Sequence, residues 1–232
     1  MQIRVTDQPA YILHRRDWQN SSLILDLFTL DHGCISVIAK GGKVGKSLAL
    51  YQPFFHLLVS WSGRGELKTL VSIDGSPAFI DEKQYLPLLY VNELLTLFLP
   101  PEEANPGLFD LYRNLLNDVD ANFGEKQLRE FERSLMEMLG YLPDTGRDAV
   151  AGNTISGDQF YQFIATSGFI PCAEKDHNAI RGQLIIAWNR KQYENKKVLQ
   201  MAKTVMRCII DFNLHGKKLK SRGMYQQIKS RI

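Results

Sequence analysis

Residues 22–39 read SLILDLFTLDHGCISVIA and decide the fold of the N-terminal part of the chain. Two apolar runs flank Asp31-His32-Gly33, an arrangement typical of two strands joined by a short hairpin turn. Similar patterns continue on both sides, and the expected strands are Ala10–His14, Ser22–Leu30, Cys34–Ala39, Phe54–Trp61 and Leu67–Ile73. Five short strands predict a small closed barrel of the OB-fold type, although an SH3-like barrel fits the strand count nearly as well.

After Gly75 the apolar spacing becomes that of helices. The expected helices are Leu86–Leu99, one that Pro106 opens, Glu125–Leu139, Val198–Leu214 and Met224–Ile228. Residues 141–180 are rich in Gly, Pro, Asp and Asn and predict little regular structure beyond a short element at Phe160–Ile164. The prediction is an α+β protein with an OB-fold nucleic-acid-binding domain at residues 1–78 and a helical domain at residues 79–232, which carries an irregular insert at about 141–192.

The formal net charge of +3 hides an uneven distribution. Residues 190–232 carry twelve Lys or Arg and two acids, whereas residues 75–189 carry eight basic and seventeen acidic residues. The densest part of the basic end consists of Lys217, Lys218, Lys220 and Arg222. Close-set cations favour a polyanion because they release the counterions condensed on its phosphates, and a solvated helix face is the alternative.

The expected compartment follows from composition. The chain is 44% hydrophobic and 23% charged, which is ordinary for a soluble globular protein. It begins without an apolar leader, and no apolar stretch approaches the roughly 18 residues of a membrane span. Cys34, Cys172 and Cys208 are odd in number and widely scattered, which favours reduced thiols over disulfides. We therefore expect a cytoplasmic protein that does not associate with a membrane.

The segment Gly41-Gly42-Lys43-Val44-Gly45-Lys46-Ser47 resembles a phosphate-binding P-loop in composition. Its spacing is one residue short, because the first glycine would have to stand at Lys40. Pro53 then follows too soon to leave room for the helix that such a loop needs. We interpret the segment as a flexible basic loop, in which Lys40, Lys43 and Lys46 either meet a backbone phosphate or stay solvated.

The sequence predicts neither a metal site nor a catalytic site. Cys172 and His177 could suggest zinc, but a structural zinc needs four ligands, usually in two close pairs, and the sequence has no Cys-x-x-Cys. None of the five histidines stands in a recognisable nucleophile or base signature. A nuclease or nucleotide hydrolase, the rival class, would need a carboxylate cluster for Mg²⁺ or a true P-loop. We therefore predict a protein that is not an enzyme and has no catalytic residue, metal or other cofactor.

Aromatic residues are frequent in the predicted barrel, at Tyr11, Trp18, Phe28, Phe54, Phe55 and Trp61. Barrels of this kind often hold single strands by stacking bases on aromatic rings. Alternation along the strands places most of these rings in the core. Trp18, beside Arg15 and Arg16 in a predicted turn, is the ring that we expect to be partly exposed.

Four separated stretches carry a family resemblance. The first comprises Trp18-x-x-x-Ser22-Leu23-x-Leu25-Asp26-x-Phe28-Thr29, Gly33, Val37-x-Ala39-Lys40-Gly41, Gln52-Pro53-Phe54 and Gly63-Arg64-Gly65-Glu66-Leu67-Lys68-Thr69-Leu70. The others are Tyr90-Val91-Asn92-Glu93-Leu94-Leu95, Leu128-Arg129-x-Phe131-Glu132-x-x-Leu135-x-x-x-Leu139-Gly140-Tyr141 and Gly216-Lys217-x-Leu219-Lys220-Ser221-Arg222. In this order, over nearly the whole chain, they resemble the RecO family of bacterial recombination mediators.

The resemblance implies an OB-fold followed by a helical domain, binding of single- and double-stranded DNA, and strand annealing. It also implies partnership with RecR and single-strand-binding protein in loading RecA, and association with the nucleoid during repair. Two departures stand out. Many members hold zinc through two Cys-x-x-Cys pairs where this chain has only Cys172, which implies a zinc-ribbon-like insert without metal. Lys218 occupies a position that is commonly proline and adds charge there.

Two sets of candidate site residues follow. The predicted DNA contacts are Arg15, Arg16, Lys40, Lys43, Lys46, Arg64, Lys68, Lys217, Lys218, Lys220 and Arg222. The resemblance also implies capture of the acidic, Phe-terminated tail of single-strand-binding protein. Helical spacing places Arg129 with Arg133, and Lys203 with Arg207, so convergence of their two helices would surround an apolar floor with cations. From the residues alone, an RNA-binding or translation-associated barrel protein stays an alternative.

Overall fold

A computed structural model of the chain describes residues 4–44, 46–76, 80–119 and 123–229. The strands are β1 Arg4–Trp18, β2 Ser22–Thr29, β3 Gly33–Ala39, β4 Leu57–Ser62, β5 Leu67–Gly75, β6 Phe160–Ile164, β7 Gly168–Cys172 and β8 Ile180–Arg181. The helices are α1 Glu82–Phe98, α2 Pro106–Asn117, α3 Glu125–Met138, α4 Gly182–Asn189, α5 Lys196–Asn213 and α6 Lys220–Lys229, with a short 3-10 helix at Lys46–Leu50.

The first five strands form a closed barrel in the order β1-β2-β3-β5-β4. Neighbouring strands are antiparallel except β3 and β5, which run parallel with Ser36 opposite Leu67. This is the strand order of an OB-fold, so the predicted barrel is confirmed and the SH3-like alternative is dropped. β1 is far longer than predicted, because register shifts between Val5 and Gln8 and between Ile12 and His14 let it bend and pair with both β4 and β2.

Alternating side chains fill the barrel, as the period-two pattern predicts. Leu23, Leu25 and Leu27 of β2 point inward and are at most 3% exposed. They pack with Val37 of β3 and with Trp61 of β4, which is 1% exposed. The interior is therefore a packed core rather than a ligand cavity.

One aromatic residue of β1 and one of β2 point outward from the barrel and are buried beneath a helix. The Tyr11 ring lies 5.0 Å from that of Tyr112 and 5.4 Å from that of Phe109, both on α2. Phe28 lies 5.4 Å from Phe109. Asn92 of α1 completes the contact, because its Nδ2 donates to the Leu13 carbonyl at 3.0 Å and its Oδ1 accepts from the Tyr112 hydroxyl at 2.6 Å. One outer face of the barrel is thus covered by helices.

The described contacts divide the chain into two compact units that do not follow the order of the sequence. The first contains residues 1–119 together with residues 219–232, and the second contains residues 120–218. The predicted domain boundary at residue 78 lies outside the described residues and stays a prediction. The last helix, expected at Met224–Ile228, begins earlier, at Lys220, and packs on α1 within the first unit.

The second unit holds α3, α4, α5 and a small sheet in the order β7-β6-β8. The sequence predicted the short element at Phe160–Ile164 but missed β7, β8 and α4, so the insert is more regular than expected. Its loop before β6 is ordered by one side chain, since the Asp148 carboxylate accepts the amides of Val150, Ala151 and Asn153 at 2.6–2.9 Å. These bonds, led by that from Ala151, hold the pKa of Asp148 below its ordinary value.

Candidate nucleic-acid interface

One end of the barrel, residues 15–21 and 40–44, is here called the barrel tip. Lys43 joins its two parts. The Lys43 amide donates to the Ser21 carbonyl at 3.0 Å, and its ammonium donates to the Gln19 carbonyl at 3.0 Å and lies 3.2 Å from Asp17. The predicted flexible loop is therefore anchored to the β1–β2 hairpin, and the charge of Lys43 is shared with a carboxylate.

The remaining cations of the barrel tip differ in their availability. Arg15 donates from Nη1 to the Tyr51 carbonyl at 3.0 Å, so its guanidinium holds the residue that directly follows the 3-10 helix. The Arg16 side chain is 52% exposed, and its nearest carboxylate oxygen, on Asp26, is 3.8 Å away, so the ion pair is weak. Lys40 is exposed, as is Arg64 in the β4–β5 turn, while the Lys46 side chain lies outside the described part of the chain. Among the predicted barrel cations that the structure describes, Arg16, Lys40 and Arg64 are thus exposed and are not held by a main-chain carbonyl.

Lys68 does not have the exposure that its predicted role requires. The residue is 8% exposed, its ammonium is paired with Glu102, and it also donates to the Gly65 carbonyl at 3.3 Å. Glu102 is itself tied to the barrel, because its amide donates to the Cys34 carbonyl at 2.9 Å. Lys68 therefore fastens the segment after α1 to the barrel, and we withdraw it from the DNA contacts.

The same segment lies against the start of β3, at Gly33 and Cys34, on a face that many OB-folds use for oligonucleotides. Pro101 forms a β-bridge to Cys34. Gly33 has φ of +62°, and a Cβ there would lie 2.2 Å from the Glu103 carbonyl oxygen, so this approach requires glycine. Burial and, secondarily, the Asp26 carboxylate raise the pKa of the Cys34 thiol to about 12. The segment after α1 therefore occupies the end of this face where β3 begins.

The basic C-terminal helix is fixed by an acidic residue of α1. The Glu93 carboxylate accepts the Lys220 amide at 2.7 Å, the Ser221 amide at 3.0 Å and the Ser221 hydroxyl at 2.6 Å. A carboxylate here satisfies free amides and complements the positive end of the helix dipole. Lys220 remains exposed, and so do Lys217 and Lys218 just before the helix. Sequence spacing gave no signal for this contact, since Glu93 and Lys220 are 127 residues apart.

The predicted tail pocket is only partly assembled. α3 and α5 do pack together, and Lys203 of α5 lies 2.7 Å from Glu125 of α3. Arg129, however, points into the protein, where its Nη2 lies 2.7 Å from Glu132 Oε1 and the two side chains are 10% and 0% exposed. We therefore remove Arg129 from the pocket, because its charge is buried against a carboxylate one turn away.

The Arg133 side chain is also bound by other residues of the second unit. Its guanidinium lies 4.4 Å from the centre of the Trp188 ring and donates to Thr145 Oγ1 at 3.3 Å and Asn189 Oδ1 at 3.1 Å. Burial lowers the pKa of Arg133, which fits a structural position. Of the four predicted cations, Lys203 is half-exposed and Arg207 is exposed.

A groove that the sequence did not reveal lies between the insert sheet and α5. It has a volume of about 530 Å³ and is here called the α5 groove. Its apolar lining includes Phe163, Ile180, Leu184, Met201 and Val205. Lys196 and Lys197 also line it. Arg207 follows Gln200, another lining residue, by two helical turns and so flanks the groove. No sequence signal marked the groove, because five of its twelve lining residues come from the insert, in which β7, β8 and α4 were not predicted.

The described residues offer no grouping that would hold a metal, since no three His, Cys, Asp or Glu side chains converge among them. The local structure of residues 41–44 and 46–50 also differs from that of a P-loop. Ser47 lies in a 3-10 helix of five residues, and Gly42 and Val44 donate their amides to the carbonyls of Ala39 and Gly41 instead of leaving them for phosphate. Among the helices described, none is both long and apolar enough to span a membrane.

Comparison with known families gives matches over almost the entire chain. A family described as Recombination protein O N terminal matches residues 1–77. A second, described as Recombination protein O C terminal, matches residues 81–223. The two matched regions follow one another in the order that the sequence signatures indicate.

Individual relatives are similar over nearly their full length. The protein named DNA repair protein RecO from Methylococcus capsulatus is 39% identical over 229 residues, which cover 96% of this chain and 94% of the relative. That from Mannheimia succiniciproducens is 36% identical over 93% of this chain and 97% of its own. That from Vibrio cholerae is 36% identical over 95% and 93%.

Proposed function

This chain belongs to the RecO family of DNA repair proteins, and from that premise we propose that it is a mediator of homologous recombination. It binds single- and double-stranded DNA, anneals complementary strands and helps to load RecA onto DNA coated by single-strand-binding protein. One observation carries the proposal. Glu93 docks the basic helix α6 onto α1, so that α6 and the cations of the barrel belong to one compact unit.

The proposed mechanism is non-covalent. Exposed Arg16, Lys40 and Arg64 on the barrel, with Lys220 on α6, contact phosphates and release counterions. Lys217 and Lys218, which precede α6 in the chain and belong to the second unit, are further proposed phosphate contacts. Neutralised strands repel one another less, and complementary bases can then pair. Because no bond is made or broken, the activity requires neither a catalytic residue nor a cofactor.

We further propose that the acidic tail of single-strand-binding protein docks in the α5 groove. The apolar lining suits a terminal phenylalanine, and Lys196, Lys197 and Arg207 complement its carboxylates. RecR is proposed as a second direct partner and RecA as an indirect one. The protein would act in the cytoplasm and join the nucleoid during repair.

The annealing test uses two labelled complementary oligonucleotides, with and without single-strand-binding protein. We expect the purified protein to accelerate pairing equally with or without ATP and Mg²⁺. Cleaved strands or released phosphate would instead indicate a nuclease or a nucleotide hydrolase. Oligonucleotides of RNA in the same assay separate the RNA-binding alternative, which would anneal RNA and not DNA.

The groove is tested separately with a fluorescent peptide of the acidic tail. Lys197→Ala with Arg207→Ala should weaken peptide binding by about 2 kcal/mol or more if both cations make charge-assisted bonds. Annealing of naked DNA should stay nearly unchanged. Lys175→Ala with Lys191→Ala is the matched control, since both lysines are exposed in the same unit and neither lines the groove. Equal losses in both double variants would contradict the assignment.

A further inference from the structure

We propose that Trp18 is a stacking platform for an unpaired nucleobase, so that the barrel tip holds single strands by their bases as well as by their phosphates. This inference rests on the proposed DNA binding and adds a ligand class to it. Trp18 ends β1 opposite Ser22. The predicted turn is therefore wrong here, and the indole is carried by a paired strand position, which fixes its backbone.

Exposure singles out this ring. Trp18 is 42% exposed, whereas Trp61 and Trp188 are 1% and 0% exposed. Within the five barrel strands, Tyr11 and Phe28 also lie at most 2% exposed, beneath α2. Bases therefore cannot stack on the outer aromatic rings of β1 and β2, but the tip leaves one large aromatic surface in solvent. An indole is well suited to this role because every base presents a π-face to it.

The charges around Trp18 suit a nucleotide. Arg16 lies two residues earlier on the strand and therefore on the same side as Trp18, about 7 Å away along the chain. Asp17, on the opposite side, is held by Lys43 and is thereby partly neutralised. Arg16 can meet a phosphate while Trp18 meets a base of the same stretch. Lys40, exposed at the other part of the tip, adds a further cation.

The backbone next to Trp18 is held in place by hydrogen bonds. In the turn after Trp18, the Gln19 carbonyl accepts from the Lys43 ammonium and the Ser21 carbonyl accepts from the Lys43 amide, each at 3.0 Å. Gln19 has φ of +49°, a turn conformation that few non-glycine residues adopt without such support. A backbone that is already ordered loses little freedom on binding, which favours stacking on the side chain that it carries.

Intrinsic fluorescence gives a direct test, because the other two tryptophans are buried. An oligomer of thymidylate should quench the emission of the unaltered protein, and an oligomer of the same length without bases should quench it far less. Trp18→Leu should weaken thymidylate binding by about fivefold or more. Its affinity for the base-free oligomer should stay within about twofold, since phosphate contacts do not use the ring. Trp18→Phe should restore most of the loss.

Matched controls and distinct outcomes complete the test. Val44→Ala removes another exposed apolar side chain from the tip, 70% exposed, and should leave both affinities unchanged. The proposal is overturned if Trp18→Leu weakens both oligomers equally, if Trp18→Phe fails to rescue, or if thymidylate binds without quenching. A protein that binds neither oligomer would refute the proposed DNA binding itself. A ring that serves a protein partner would give unchanged thymidylate affinity in Trp18→Leu.

Discussion

Replacing Glu93 with Gln should release the start of α6 from the barrel unit. The carboxylate accepts three hydrogen bonds from Lys220 and Ser221, at 2.6–3.0 Å. An amide keeps the shape but replaces one acceptor oxygen with a donor, and it removes the charge that complements the helix dipole. Losing a helix cap costs about 0.5–2 kcal/mol, and a charge-assisted bond about 1.5–3 kcal/mol. Because the site is only half-buried, we expect a loss of about 2 kcal/mol for the docked state.

Amide hydrogen exchange measures this loss directly. A change of about 2 kcal/mol corresponds to roughly 30-fold faster exchange of the Lys220 and Ser221 amides. Amides in the middle of α1 should change much less. Glu82→Gln is the matched control, since this exposed acid lies on the same helix, about three turns before Glu93. It is not the residue that accepts the hydrogen bonds of Lys220 and Ser221. Unchanged exchange at Lys220 and Ser221 in a folded Glu93→Gln protein would refute the reasoning.

Three further predictions concern salt, metal and thiols. Arg16→Ala with Arg64→Ala should reduce the slope of log affinity for single-stranded DNA against log salt by about 1.4, at about 0.7 per lost phosphate contact. Lys68→Ala should leave this slope unchanged but lower the melting temperature of the protein. A slope that stays as steep in the double variant would place the binding site elsewhere. The dialysed protein should hold no stoichiometric zinc and keep its circular dichroism spectrum in chelator, and elemental analysis that finds one zinc per chain would contradict this. At pH 8 the exposed Cys208 should be alkylated well before Cys34, because a thiol with a pKa of about 12 contains almost no thiolate at that pH. Mass spectrometry of the modified peptides measures the order, and earlier modification of Cys34 would contradict the prediction.

The barrel could be predicted because its signal is local. Period-two alternation and turn residues place all five strands, and the chain closes them in the OB order. The insert was harder, since β8 has only two residues and the loop before β6 is ordered by the Asp148 carboxylate rather than by a repeating pattern. Pairing of Phe160 with both Cys172 and Arg181 is a long-range fact that spacing does not encode.

The candidate cations show the same limit. Their number and clustering are visible in the sequence, but their burial depends on distant partners. Lys68 meets Glu102, 34 residues away, so its spacing gives no warning. Arg129 meets Glu132 at helical spacing, and that pairing could be anticipated, although not its depth. Trp18 was correctly expected to be partly exposed, because the charged residues beside it in the sequence are a local signal.

The return of α6 to the first unit has a consequence for biosynthesis. Residues 120–218 form a unit inserted within another, so the ribosome must make all of them before it reaches Leu219. At the usual rate of translation this takes roughly 5–20 s, during which the barrel with α1 lacks its closing helix and Glu93 lacks its partners. Residues 120–218 can therefore finish folding before the unit whose two segments flank them in the sequence. Leu219, which is 7% exposed in the finished protein, can become buried only after that delay.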